Sequence, residues 1–114
     1  MEKEPLDPEI AAQGFAAAGS ASRLEVLRAL VRAGPEGLPV SEIQQRLGIP
    51  ASTLAHHLRF LAAAGLIVQE RRGRQLLSRA NYERISALAD FLLHACCADA
   101  ESCRDSGEGA TCAG

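Results

Sequence analysis

Apolar residues recur along this chain mostly at intervals of three and four, the period of helices that bury one face. Ile10, Phe15 and Ala18 have core-like spacing over a first helix that runs to about Ala18. Asp7 suits its N-cap, Pro8 its first helical position and Glu9 its first turn. Gly19 stops that helix, and Ser20 can cap a second, "ASRLEVLRALVRA", with an apolar stripe of Leu24, Leu27, Leu30 and Val31. Gly34-Pro35 and Gly37 then break the pattern.

"LPV" at 38–40 reads as a short extended piece. Ser41 is placed to cap a third helix, "EIQQRL", closed by Gly48 and Pro50. A fourth begins near Ser52 with Leu54, Leu58, Leu61 and Leu66 inward and Gly65 as its C-terminal stop. Two helices joined by the tight link "GIPA" make a helix-turn-helix pattern. Leu66 to Glu70 and Gln75 to Ala80 read as strands around an "RRGR" turn. Asn81 caps a last helix, "YERISALADFLLHACCA", with Ile85, Leu88, Leu92 and Ala95 on one side and Phe91 beside them. The order predicts a mainly α fold with a small β-hairpin, a winged helix-turn-helix. Residues 1–98 are expected to form the domain, and the polar, Gly-rich 99–114 a loosely ordered tail.

Length and composition add limits. The chain has 114 residues, which suggests one domain with a small core that a dimer interface would supplement. No apolar run reaches the roughly 18 residues of a membrane span. The start "MEKEPLDPEI" is acidic, so neither a membrane partner nor a signal peptide is expected, and a cytoplasmic location follows by default. Mostly reduced thiols and no disulfide framework are then expected. The net charge of −2 says little, but its distribution says more. Residues 46–84 hold seven arginines against Glu70 and Glu83, a local balance of +5 between acidic ends. That arrangement suits a polyanion bound by the middle of the chain, or a solvated charged face.

The fourth helix is the candidate for a DNA major groove. Its polar side carries Ser52, Thr53, His56, His57 and Arg59, groups able to bond base edges or phosphates. Ser52 also lies where helix N-terminal amides can meet a phosphate. His57 lies one residue closer to the leucine stripe than His56, and the alternative for both histidines is a polar face with no partner. Adjacent histidines diverge by about 100° on a helix, which disfavours their sharing one metal ion. Arg71, Arg72 and Arg74 at the hairpin tip suit backbone phosphate or a narrow minor groove. A charged edge that merely blocks aggregation is the alternative.

"STLAHHLRFLAAAGLIVQERRGRQLLSRAN" strongly resembles the signature of the ArsR/SmtB family of metal-responsive bacterial repressors, with its Ser-x-x-Ser-x-His-Leu-x-x-Leu run, Ala-Gly-Leu-Val segment and Arg-Gly-Arg wing. The resemblance extends over residues 10–98. Ala55 stands where the family often has a DNA-contacting serine, leaving Ser52 and His56 to carry more of the contact. The resemblance implies a homodimer joined through the first and last helices, bound to double-stranded, palindromic operator DNA.

All four cysteines, Cys96, Cys97, Cys103 and Cys112, lie near the C-terminus. The family's arsenic site of the Cys-Val-Cys type in the third helix has no counterpart in "VSEIQQRL", and Asp90 and His94 are too few for its carboxylate–histidine zinc site. The thiol cluster instead resembles that of arsenic-responsive members whose last helix ends in a cysteine pair followed by a third cysteine. That resemblance implies As(III) as inducer, held by Cys96, Cys97 and Cys103 as a pyramid of three sulfurs. Soft ions favour thiolates generally. Cys112 could complete a four-ligand zinc or cadmium site. Antimonite, methylarsenite needing two thiolates, another soft ion, or a redox sensor with a Cys97–Cys103 disulfide stay open. An enzyme is not expected. A cysteine pair also serves as a thiol relay in flavin-dependent metal reductases, but this chain has no Gly-rich nucleotide loop, no Cys-x-x-Cys and no room for a flavin or other organic cofactor domain.

Overall fold

The computed structural model describes residues 6–94 and 96–100. Five helices and three strands follow in the order α1 (Pro8–Ala18), α2 (Ala21–Ala33), β1 (Leu38–Pro39), α3 (Val40–Leu47), α4 (Ala51–Ala63), β2 (Ile67–Arg72), β3 (Gln75–Ala80) and α5 (Tyr82–Leu93). This is the winged helix-turn-helix architecture that the hydrophobic pattern predicts. No helix among the described residues is long and apolar enough to cross a membrane.

Local chemistry accounts for most boundaries. The Asp7 carboxylate accepts from the Glu9 amide, and the Ser20 hydroxyl from Arg23, so both expected caps are in place. Ser41 does not cap α3. Pro39 holds that position in extended backbone, and the helix starts at Val40, one residue before the serine. Pro50 likewise precedes α4 without a side-chain cap. At the far end of α4 the Leu66 amide donates to Leu61 and the Gly65 amide to Ala62, a Schellman closure with Gly65 at φ +80°. Asn81 caps α5 through the Arg84 amide while its own amide group donates to the Gly65 carbonyl. That pair of bonds fixes the start of α5 against the end of α4.

The sheet has the order β1-β3-β2, antiparallel throughout, with Leu38 opposite Ser78 and Ile67 opposite Ala80. β2 continues through Arg71 and Arg72, so the turn is only Gly73-Arg74 rather than all of "RRGR". Buried Ser78 is satisfied by the Gln69 amide directly across the ladder at 3.1 Å.

The core sits between α2, α3, α4 and the sheet, with Val26, Leu30, Ile43, Leu54, Leu61 and Leu66 fully enclosed. The leucine stripe of α4 is where the sequence puts it. The inward face of α1 is not. Ala11, Gly14 and Ala17 point into the fold, while Ile10 and Phe15 stay partly exposed. Small residues are needed because α5 approaches closely: a Cβ on Gly14 would sit 2.8 Å from a Leu88 methyl. Val26 takes an inward place on α2, and Leu24 and Val31 turn outward. On α5 only Leu88 is buried, with Ile85 and Phe91 partly so. The helix ends at Leu93, short of the expected Ala98.

Candidate nucleic-acid interface and thiol pair

α3, the three-residue link Gly48-Ile49-Pro50 and α4 make the helix-turn-helix. Gly48 adopts φ +66° to leave α3, and Pro50 sets the entry to α4. With no side chain capping α4, its first-turn amides are left open to an anion. Ser52, Thr53, His56 and Arg59 are all exposed, and Ser52, His56 and Arg59 lie at helical spacing along one face.

The expectation of DNA contact is corrected at His57. Its side chain is only 8% exposed and packs with the leucine side of α4. Its Nδ1 is buried without a hydrogen-bond partner. Burial, then the charge of Arg23 and that of His56, lowers its pKa below the ordinary histidine value. The neutral imidazole is therefore favoured in the folded state. As pH falls through the ordinary value of about 6.5, the unfolded chain takes up this proton first, and stability is lost until the lower folded pKa is reached. We expect the melting temperature to fall between pH 7.5 and 5.5, and His57→Leu to shrink that fall. Equal pH slopes for the two proteins would remove His57 as the cause.

The wing is a tight hairpin. Gly73 at φ +59° holds the first central position and Arg74, not left-handed, the second, the pattern of a type II′ turn. Arg71, Arg72 and Arg74 are exposed on it. Glu70 accepts from Arg79 at 2.8 Å and from Arg72 at 3.3 Å, and these bonds, Arg79 first, hold its pKa below the usual carboxylate value. Arg46 is paired with Glu42 along α3. Among the described residues Arg59, Arg71 and Arg74 form no ion pair, which leaves a guanidinium on α4 and two on the wing for an external anion.

Beyond α5 the chain turns. The Cys96 amide donates to Leu93 and the Ala100 amide to Cys97, with Cys97 left-handed at φ +63°. That turn brings the two sulfurs, which would diverge on a helix, to 3.4 Å. Cys96 is a free, exposed thiol, and Cys97 is disulfide-bonded. Cys103 and Cys112 lie outside the described residues. No group of three metal-ligating side chains forms among the described residues.

Two residues near His56 escaped the sequence reading. Phe60 meets the His56 ring edge-on at 4.8 Å, and the Arg23 guanidinium lies over Phe60 at 4.9 Å. A phenylalanine on the polar side of the fourth helix was the only available signal.

A family model described as a helix-turn-helix domain matches residues 19–70. The HTH-type transcriptional regulator NmtR of Mycobacterium tuberculosis (strain ATCC 25618 / H37Rv) is 36% identical over 93 residues, spanning 79% of this chain and 75% of that protein. The structure of an ArsR-like transcriptional regulator from Rhodococcus sp. RHA1 is similar at TM-score 0.69 and 25% identity, over 90% of this chain and 97% of that one. A homodimeric winged helix-turn-helix DNA-binding domain from Mycobacterium bovis, described as a possible ArsR-family regulator, has the same fold at TM-score 0.63 and 23% identity, over 89% and 93% of the two chains.

Proposed function

The chain belongs to the ArsR/SmtB family of winged helix-turn-helix transcriptional regulators, and from that premise we propose that it is a homodimeric repressor released from operator DNA by arsenite or antimonite. Ser52, Thr53, His56 and Arg59 read the major groove, and Arg71, Arg72 and Arg74 hold flanking phosphate. Exposed Ile10 and Phe15 on α1, with Leu92 and Leu93 on α5 at 67% and 63% exposure, favour a second copy as the cover for these two helices.

The observation that carries the inducer reading is the convergence of the Cys96 and Cys97 sulfurs. Bonds of about 2.3 Å to two sulfurs 3.4 Å apart subtend about 95° at the bound ion, narrower than the tetrahedral angle of zinc. A narrow angle suits a pyramidal ion that keeps a lone pair. In the reduced protein Cys103 supplies the third thiolate, and Cys112 serves only ions that take four. A second reading, a thiol redox switch, is favoured by the disulfide at Cys97 beside the Cys96 thiol.

A DNA-release titration under reducing conditions tests this, with arsenite, antimonite, methylarsenite, cadmium and zinc, and a separate arm with peroxide. Release by arsenite and antimonite at concentrations where zinc does nothing is the expected result. Release by peroxide alone moves the protein to the redox reading, and release by zinc and cadmium alone to a four-ligand site. For the wing, Arg74→Ala is expected to lower the slope of log affinity against log salt by about 0.9, the share of one phosphate. Arg72, shared with Glu70, is expected to contribute less. An unchanged slope for Arg74→Ala would take the wing tip off the phosphates.

A further inference from the structure

Arg23 has an unusual set of partners for a half-exposed arginine. Its Nε donates to the Ala17 carbonyl at 2.6 Å and its Nη2 to the Ala16 carbonyl at 3.4 Å. These carbonyls belong to the last turn of α1, where a cation is favoured, and the Ala16 oxygen also accepts from the capping Gly19 amide. The same guanidinium lies over the Phe60 ring, and that ring meets His56 edge-on. Phe60 is 46% exposed, so the core does not need it. At the same level of α4, His57 offers no Nδ1 hydrogen bond to fix the roll of the helix. The stack links this exposed side of α4 to the end of α1.

We propose that Arg23 is a positioning residue for DNA reading, holding the His56 ring on the groove-facing side of α4 through Phe60 and anchoring both to the C-terminal end of α1. The inference rests on the reading that α4 enters the groove. It assigns Arg23 no contact with DNA. A planar guanidinium is required, because it must stack on a ring while donating in its own plane to two carbonyls, which an ammonium cannot do.

The test measures affinity and its salt dependence on a duplex selected by the unmodified protein from a random-sequence library. Arg23→Lys and Phe60→Leu are each expected to weaken binding about tenfold with the salt slope unchanged. The double variant is expected to bind no worse than the weaker single one, since both act through one stack. Phe60→Leu changes an exposed ring and carries the test if Arg23→Lys fails to fold, as judged by circular dichroism. Unchanged affinity in the folded variants overturns the proposal. So does a slope reduced by about one, which would make Arg23 itself a phosphate contact, and so do additive losses in the double variant. If the unmodified protein selects no duplex, the DNA-reading assignment fails and this inference with it. Binding by the unmodified protein with no loss in the variants defeats the inference alone.

Discussion

Gly37→Ala is expected to lower the melting temperature by more than about 10 °C. Gly37 sits at φ +75°, in the left-handed region that costs alanine about 1–2 kcal/mol. Space is the second problem. A Cβ there would overlap the Ser78 carbonyl oxygen and lie 2.9 Å from the Arg79 Cβ. Neither is the loose end of a side chain: Ser78 pairs with Leu38 in the ladder, so relief means prying β1 from β3. Overpacking of this kind costs about 1–3 kcal/mol, and with the backbone strain about 3 kcal/mol is expected, a large part of the stability of a small domain. Gly48→Ala separates the two causes. Gly48 is also left-handed, at φ +66°, but nothing lies within 4 Å of its Cβ position. Its alanine variant carries strain without overlap and should lose only about 1–2 kcal/mol. Thermal melts that show equal shifts for the two variants would refute the steric account. The functional cost follows from position, since β1 runs directly into α3 and pairs with the inner strand of the wing.

The elements whose burial is one-sided and leucine-rich were legible in advance. Leu54, Leu58 and Leu61 recur at helical spacing and all three are buried, so α4 and its outer polar face could be placed from sequence alone. α1 departs from its pattern because its large apolar residues advertise a core face that lies elsewhere. In a single chain the close approach of Leu88 leaves no room for a side chain at Gly14, and Ala11, Gly14 and Ala17 face inward while Ile10 and Phe15 stay outside. Hydrophobicity ranks side chains by transfer, not by the room available, so that inversion left no signal in the pattern. His57 was ambiguous for a related reason: it borders the stripe, and burial alone decides between groove and core. Ser41 shows a local rule overridden, since the extended Pro39 starts α3 before the serine is reached. At the thiols, residue identity disclosed the chemistry but not the geometry. The convergence of Cys96 and Cys97 depends on a left-handed residue, and a cysteine there gives none of the warning that a glycine would.

Cys96→Ser and Cys97→Ser are each expected to abolish release of DNA by arsenite while leaving operator affinity in its absence unchanged. Serine keeps the shape of the side chain but replaces a soft thiolate with a hard oxygen that stays protonated at neutral pH. An inducer effect of this kind amounts to a 5- to 150-fold change in affinity by the usual size of allosteric coupling, about 1–3 kcal/mol, and each variant should reduce it to about one. In the proposed mechanism the route runs through α5. The thiol pair follows that helix directly, and the same helix packs on α1 where Leu88 meets Gly14. Drawing the sulfurs around an ion therefore acts on the two helices assigned to the dimer interface, and so on the spacing of the two α4 helices across an operator. Cys103→Ser divides the inducers, because arsenite needs the third sulfur and methylarsenite does not. A protein that loses the arsenite response and keeps the methylarsenite one fits the cluster as assigned. An arsenite response that survives Cys96→Ser places the inducer elsewhere. Linkage supplies an independent check, since operator DNA must weaken arsenite binding by the same factor that arsenite weakens DNA binding. Proton balance adds another: each thiol proton leaves as water with one hydroxide of arsenite, so arsenite affinity should stay nearly flat with pH while the thiols are protonated, whereas binding of zinc or cadmium cations displaces protons and should strengthen as pH rises.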